Sequence, residues 1–465
     1  MILTIAIDSY PLLLGSIILY LLLTILVGYL ASRKVKTSGD FMLAGRSLPI
    51  VLSTAALFAT WFGSETVFGA SSRFLEGGLY AVIEDPFGAA LCLVLFGIFF
   101  ARKLYRMNLL TLGDFFKVRF GKRTELIAGF FIVPSYLGYI AAQLVAMGLI
   151  LNVVTGMEVW LGVVISAFVV TFYTYLGGMW AISITDFIQG ILIVVGLTVL
   201  AFILSEQAGG VQVVFSEMPA KDFKFLPSWD FFEVGGYLAA WSVLGLGSIP
   251  SQDVFQRVMA GGSEKIAVRA CIYAAVLYLT IAMLPLFISL CTKHLYPDQI
   301  TGDTQLTLPR MVLAHTSMGV QVVFFGSLLS AIMSTTSSAV LAPAAILSEN
   351  IIKPVFNNQI SDQRLLHITR ISVLFFSAIA TIMACLRTDI YELVGESSIV
   401  SLVSLFAPLT LGLYWKKSTA MAAVASMFTG ILSWLVFKFY PIGLPELVPA
   451  TCISFFTMLT VSLVN

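Results

Sequence analysis

Long apolar runs recur along the whole chain, near 11–32, 48–71, 79–101, 124–151, 158–177, 179–205, 234–256, 265–292, 319–350, 365–386, 391–415, 418–438 and 444–463. Each is close to or beyond the roughly 20 residues a helix needs to cross ~30 Å of hydrocarbon. The runs are continuous and lack the two-residue alternation of a barrel strand, so they predict helices. Only 11% of residues are charged and 59% are hydrophobic, which leaves too little charge to cover a soluble surface. The expectation is an all-α integral membrane protein with about 13 transmembrane helices.

Positive charge orients that arrangement. With the amino terminus outside and the carboxyl terminus cytoplasmic, 19 of the 26 Lys and Arg residues fall in inner loops and 7 outside, as the positive-inside rule requires. A cell membrane, plasma or inner, is the expected location. The first run is too long for a signal-peptide core and continues into Arg-Lys-Val-Lys, so it is expected to be retained. Cys92, Cys271, Cys291, Cys385 and Cys452 lie in or beside runs without metal spacing and read as small apolar fillers. The longest stretch outside the runs, 206–233, is a modest loop. Nothing in the sequence suggests nucleic-acid binding or an obligatory protein partner.

Two runs carry helix breakers. The second reads LSTAALFATWFGSETVFGAS, with Gly63 inside a polar cluster. The seventh reads AAWSVLGLGSIPSQDVFQRV, with Gly245, Gly247 and Pro250 ahead of Gln252 and Asp253. Such residues free backbone carbonyls at depth, where only protein or a cavity can satisfy them. The two runs are five apart, and an odd offset points them in opposite directions. Paired interrupted helices in corresponding positions indicate an inverted-repeat transporter with its sites at the breaks.

The ninth run places Ser334, Thr335, Thr336, Ser337 and Ser338 in a row. One or two such hydroxyls usually bond back to the preceding turn or to a neighbouring helix. Five together predict a polar lining, with Ala331, Ser334, Thr335 and Ser338 on one helix face. Hydroxyls and freed carbonyls suit a hard monovalent cation. Asp186 lies about nine residues, or ~13 Å, into the sixth run, where a carboxylate is costly and usually functional.

Several stretches resemble the sodium:solute symporter family: SAIMSTTSSAVLAPAAILSENI, YTYLGGMWAISITDFIQGILIVVGL at 173–197, GSIPSQDVFQRVMA, and APLTLGLYWKKSTAMAAVASMFTG. They follow the family's order between about 40 and 430. The resemblance implies a leucine-transporter-like core of five plus five inverted helices. The corresponding division is 1–47 for an extra span and loop, 48–205 and 234–415 for the repeats, 206–233 for an outer loop, and 416–465 for two final spans. It further implies a sodium site of Ala59, Phe62 and Ala331 carbonyls with the Ser334 and Thr335 hydroxyls. Asp186, Ser337 and Ser338 match a second sodium position or release path known in some members.

The remaining buried polar groups are lopsided. Glu65, Glu84, Asp85, Asp253 and Glu396 all fall within apolar runs, while no Lys or Arg is expected equally deep; Arg257 is placed near an inner end. Such acids must be protonated or meet a cation. Trp61 sits in the break, where the choline-transporter branch of the family also has tryptophan, and an aromatic face attracts quaternary ammonium. That branch has a second tryptophan where this chain has Ser251, so one aromatic wall is missing. By analogy with other members, Thr66, Ser251, Gln252, Asp253 and one of Glu84 or Asp85 are expected at the solute, with Glu65 beside them. The expected function is sodium-coupled import of a small organic solute by alternating access. A choline-like cation is the leading solute; an amino acid, a carboxylate such as pantothenate, or a sugar is the alternative. Proton coupling is disfavoured because hydroxyls do not titrate near neutral pH. An enzyme is disfavoured because His294, His315 and His367 are scattered. A sensor is disfavoured because no signalling domain follows the last run.

Overall fold

The computed structural model describes residues 10–33, 35–300, 302–356 and 359–464. Nine of its helices are long and apolar enough to cross a bilayer, with two shorter apolar helices at Pro11–Val27 and Ile50–Trp61. The thirteen apolar runs outnumber these nine because the first two correspond to the shorter helices, the seventh is split at its break, and 158–177 and 179–205 join into one helical stretch. Glu65–Arg106 has 42 residues and turns at Gly78 (φ 67°). Val159–Gln207 has 49 residues and turns at Gly178 (φ 50°, ψ −147°). At 1.5 Å per residue the latter is far longer than one crossing needs, so Gly178 divides it. A side chain at Gly178 would meet both the positive φ and Phe41, whose carbonyl would lie 2.5 Å from a Cβ.

Both expected breaks are present. The helix Ile50–Trp61 stops at Phe62 (φ −89°, ψ 74°), and the chain resumes as a wide turn over Glu65–Gly69 that feeds Ala70–Gly77. The second broken helix begins at Asp230, whose carboxylate accepts from the Phe232 and Glu233 amides, runs over Phe231–Gly245, and restarts as Gln252–Ala260. Gly247 lets this break approach another helix closely; a Cβ there would lie 2.6 Å from the Ser398 carbonyl.

Met318–Ile346 forms the centre of the bundle. Every residue from Ser327 to Ile346 is buried. This helix packs against Val159–Gln207, Ile50–Trp61 and Gln252–Ala260, bringing the hydroxyl run to both breaks. Leu19, Leu22, Phe168, Phe202, Ile382 and Phe456 are exposed on the outside, an apolar surface that hydrocarbon would cover. Ala420–Phe439 and Leu447–Val464 pack on each other beside the core.

Candidate ion and solute site

Only part of the hydroxyl run reaches across to another helix. Thr335 Oγ1 donates to the Ala59 carbonyl at 3.0 Å and lies 3.2 Å from the Ala331 carbonyl. Ser334 Oγ is 3.4 Å from the same Ala59 oxygen and also donates to Asp186 Oδ1. Thr336 and Ser337 donate back to carbonyls of their own helix, and so does Ser338, which also accepts from Arg257 on another helix. Phe62 stands at the break, where its φ and ψ turn the carbonyl out of the helical ladder. The structure thus brings Ala59, Ala331, Ser334 and Thr335 together, with Phe62 at the adjoining break. These are uncharged hard-oxygen donors between two helices, one of them interrupted, a set that suits sodium.

Arg257 departs from expectation. It is fully buried, and Nη2 lies 3.4 Å from Asp186 Oδ2 while also donating to Ser338 Oγ. Its Nε donates to the Ala56 carbonyl at 3.0 Å. An arginine therefore sits as deep as the acids, because Gln252–Ala260 turns inward after the break and packs on Ile50–Trp61. Asp186 and Ser338 are engaged by this guanidinium, and Ser337 bonds within its own helix. In this arrangement Arg257 takes up Asp186 Oδ2 and Ser338 Oγ, oxygens that a second sodium ion at these three residues would have to share.

A cavity of about 40 Å³ lies beside the breaks. Of the eight residues expected at the solute, Trp61, Glu65, Ser251 and Asp253 line it. Glu65 accepts from Gln143 Nε2 at 2.7 Å and from Tyr139 Oη at 3.3 Å. Asp253 Oδ1 accepts from Tyr136 Oη at 2.6 Å. The indole Nε1 of Trp61 is buried without a partner. The other four are elsewhere. Gln252 Oε1 accepts from the Leu112 amide at 2.7 Å, tying the second break to a neighbouring helix. Thr66 and Asp85 meet at Tyr278, outside the cavity lining. Glu84 lies against Gly395, where a Cβ would be 3.1 Å from Oε1.

Sequence reasoning missed Tyr136, Tyr139 and the Ser397, Ser398 and Ser401 group, all of which line the cavity. The available signal was Pro134, which ends one helical stretch at Val133 and opens the turn Pro134–Tyr136 that presents the tyrosines. Glu396 was expected among the unpaired acids, but Arg387 binds it at 2.7 Å and Lys438 at 2.9 Å. It belongs to a partly exposed ion-pair group and not to the cavity.

Comparison with known proteins extends these findings. A sequence profile described as the sodium:solute symporter family matches residues 41–430. The human high affinity choline transporter 1 is 30% identical over 440 residues, covering 90% of this chain and 75% of that protein. The osmoregulated proline transporter of Bacillus subtilis is 26% identical over 473 residues, covering 96% and 94%. Among solved structures, a Na+-coupled sialic acid symporter in a substrate-bound outward-open state superposes with a TM-score of 0.87 at 19% identity, over 98% of this chain and 97% of that one. A nucleobase-cation-symport-1 family transporter gives 0.53 at 15% identity, over 91% and 95%. At these identities the structures speak for the fold, which is leucine-transporter-like.

Proposed function

The chain belongs to the sodium:solute symporter family, and on that premise we propose that the solute it carries with sodium is a choline-like organic cation. It is a multi-pass membrane symporter of a small solute and not an enzyme. The observation that carries the solute reading is the cavity's lining. Two carboxylates, Glu65 and Asp253, stand with Trp61, Tyr136 and Tyr139, and no basic side chain lines it among the described residues. Aromatic faces bind a quaternary ammonium by about 0.5–2 kcal/mol each, and the carboxylates supply the opposing charge. Tyr136 and Tyr139 provide the aromatic wall that Ser251 does not. A solute bearing its own carboxylate would face like charge here, which disfavours amino acids and pantothenate. The high affinity choline transporter among its relatives supports the same reading.

In the mechanism, sodium is held by the Ala59, Phe62 and Ala331 carbonyls with the Ser334 and Thr335 hydroxyls. It bridges Ile50–Trp61 to Met318–Ile346 and steadies the break from which Trp61 projects into the cavity. The repeats 48–205 and 234–415 then rock about the site. A cavity of about 40 Å³ holds only a few water molecules, so a solute enters and leaves through other arrangements of the helices. Asp186 and Arg257 lie beside the sodium cradle, and Ser334, which donates to Asp186, would have to share its oxygen with the ion. The chain resides in a cell membrane with its amino terminus outside and its carboxyl terminus in the cytoplasm.

Proteoliposomes test the proposal. Labelled choline should accumulate under an inward sodium gradient and not under an equal potassium gradient. Accumulation of proline or pantothenate in place of choline would refute the solute assignment, and equal uptake in potassium would refute the coupling.

A further inference from the structure

Three helices enclose an apolar groove of about 490 Å³ on the outside of the bundle. Its walls are Ile50–Trp61, the part of Val159–Gln207 that follows Gly178, and the helix Glu264–Leu295. Val51 and Tyr273 on its edges are exposed, so the groove opens outward toward the bilayer. Gly190 leaves the space between the first two walls; a Cβ there would already touch the Phe58 ring at 3.6 Å. Of the lining side chains only Thr54 and Tyr273 carry a polar atom, and the Thr54 hydroxyl is enclosed without a hydrogen-bond partner.

Positive charge gathers at one end. The Leu48 amide donates to the Ala260 carbonyl at 3.0 Å and the Gly262 amide to the Leu48 carbonyl at 2.9 Å, which ties the starts of Ile50–Trp61 and Glu264–Leu295 side by side. From that end Lys265, Arg269, Tyr273 and Leu277 follow at four-residue intervals on one helix face. The last two line the groove, and both cations are exposed. Their neighbour Glu264 is already bound by Arg102 at 2.9 Å and Arg106 at 2.7 Å. Among the described residues no ion pair reaches Lys265 or Arg269.

We propose that this groove holds an acyl chain of one anionic phospholipid of the cytoplasmic leaflet, with the lipid phosphate against Lys265 and Arg269. In the orientation proposed above, the charged end lies at the surface where anionic lipid concentrates. Hydrocarbon fills a carbon-lined trough that the protein's own side chains leave open. Thr54, one turn in from the start of its helix, meets an ester carbonyl of the lipid. A sterol brings no charge for the two cations to meet. Such a lipid lies beyond the symport reading, which names only sodium and a solute. Phe58 adjoins Ala59 and Phe187 adjoins Asp186, and both phenylalanines line the groove. The helices that hold the proposed cradle inside therefore form the groove outside, and bound lipid favours arrangements that keep these walls together.

The test is native mass spectrometry of the purified full-length protein, titrated with phosphatidylglycerol or phosphatidylcholine in detergent without sodium or solute. One phosphatidylglycerol should bind in preference to phosphatidylcholine. Lys265→Gln combined with Arg269→Gln, both surface changes, should weaken its affinity roughly thirtyfold, about fivefold for each basic residue. Gly190→Leu, which fills the groove, should abolish the bound lipid; if it does not purify, Ala55→Leu in the same groove carries the measurement. Equal binding of the two lipids, displacement by a sterol at equal concentration, or wild-type affinity in the charge variant would overturn the assignment to an anionic lipid. Wild-type affinity in the filled groove would overturn the site itself. Because neither sodium nor solute is present, failure of the symport reading leaves this result untouched, and loss of the lipid site leaves that reading standing.

Discussion

Asp186 and Asp85 are both fully buried carboxylates, yet one faces a guanidinium 3.4 Å away and the other only hydroxyls. Arg257 comes to Asp186 from a helix that restarts after the second break, so that charge is balanced by the fold itself. Among the described residues Asp85 has no such partner, and its Oδ2 has no hydrogen-bond partner. The difference separates two uses of an intramembrane acid. A permanently paired acid stabilises one arrangement of helices, whereas an acid with unmet charge is available to a ligand.

Removing the guanidinium is the harshest way to test that contrast. Arg257→Met should destabilise the protein by about 3–5 kcal/mol, because it strands a buried charge. Thermal denaturation of the purified protein would show this as a large drop in Tm, with Asp186→Asn added to it restoring much of the loss. Asp85→Asn, having no buried cation to strand, should move Tm far less; equal drops would erase the distinction.

The proposed sodium cradle comes next. Thr335→Ala or Ser334→Ala should abolish sodium-stimulated uptake at ordinary sodium concentrations, since losing a ligand to a charged group costs about 1.5–3 kcal/mol, or ten- to a hundredfold in affinity. Thr336→Ala, whose hydroxyl only bonds back to Ile332, should leave sodium affinity near wild type. Titration of uptake against sodium separates the two cases.

Trp61→Ala should raise the KM for a quaternary ammonium by about five- to thirtyfold, the loss of one ~1–2 kcal/mol aromatic contact. Sodium binding without solute is the control that keeps this apart from a general collapse. Gln252→Leu should have the smallest effect on transport. Its amide serves the Leu112 backbone and not the cavity, so about 1 kcal/mol of stability is lost while the solute KM stays put. A raised KM would mean that Gln252 turns toward the solute in another state of the cycle.

The sequence by itself determined that this chain is helical and membrane-embedded, that two of its helices are interrupted, and that hydroxyls lie at depth. Those properties are local. Each apolar run must satisfy its backbone within its own helix, and Gly63, Gly245, Gly247 and Pro250 disturb that pattern wherever the rest of the chain goes. Family likeness picked out Ser334 and Thr335 as candidate ion ligands and helix periodicity put Ser338 on their face, but that Ser338 meets Arg257 while Ser334 and Thr335 meet Ala59 was not legible, because partners on other helices are set only by packing. The tertiary structure alone decided that Arg257 meets Asp186, 71 residues away in sequence, and that Thr335 meets Ala59 across 276 residues. It also moved Glu396 to an outlying ion-pair group, turned Gln252 away from the cavity, and brought in Tyr136 and Tyr139 behind Pro134. Charges and hydroxyls interact over a few ångströms, and no run of neighbouring letters encodes which distant residues come that close.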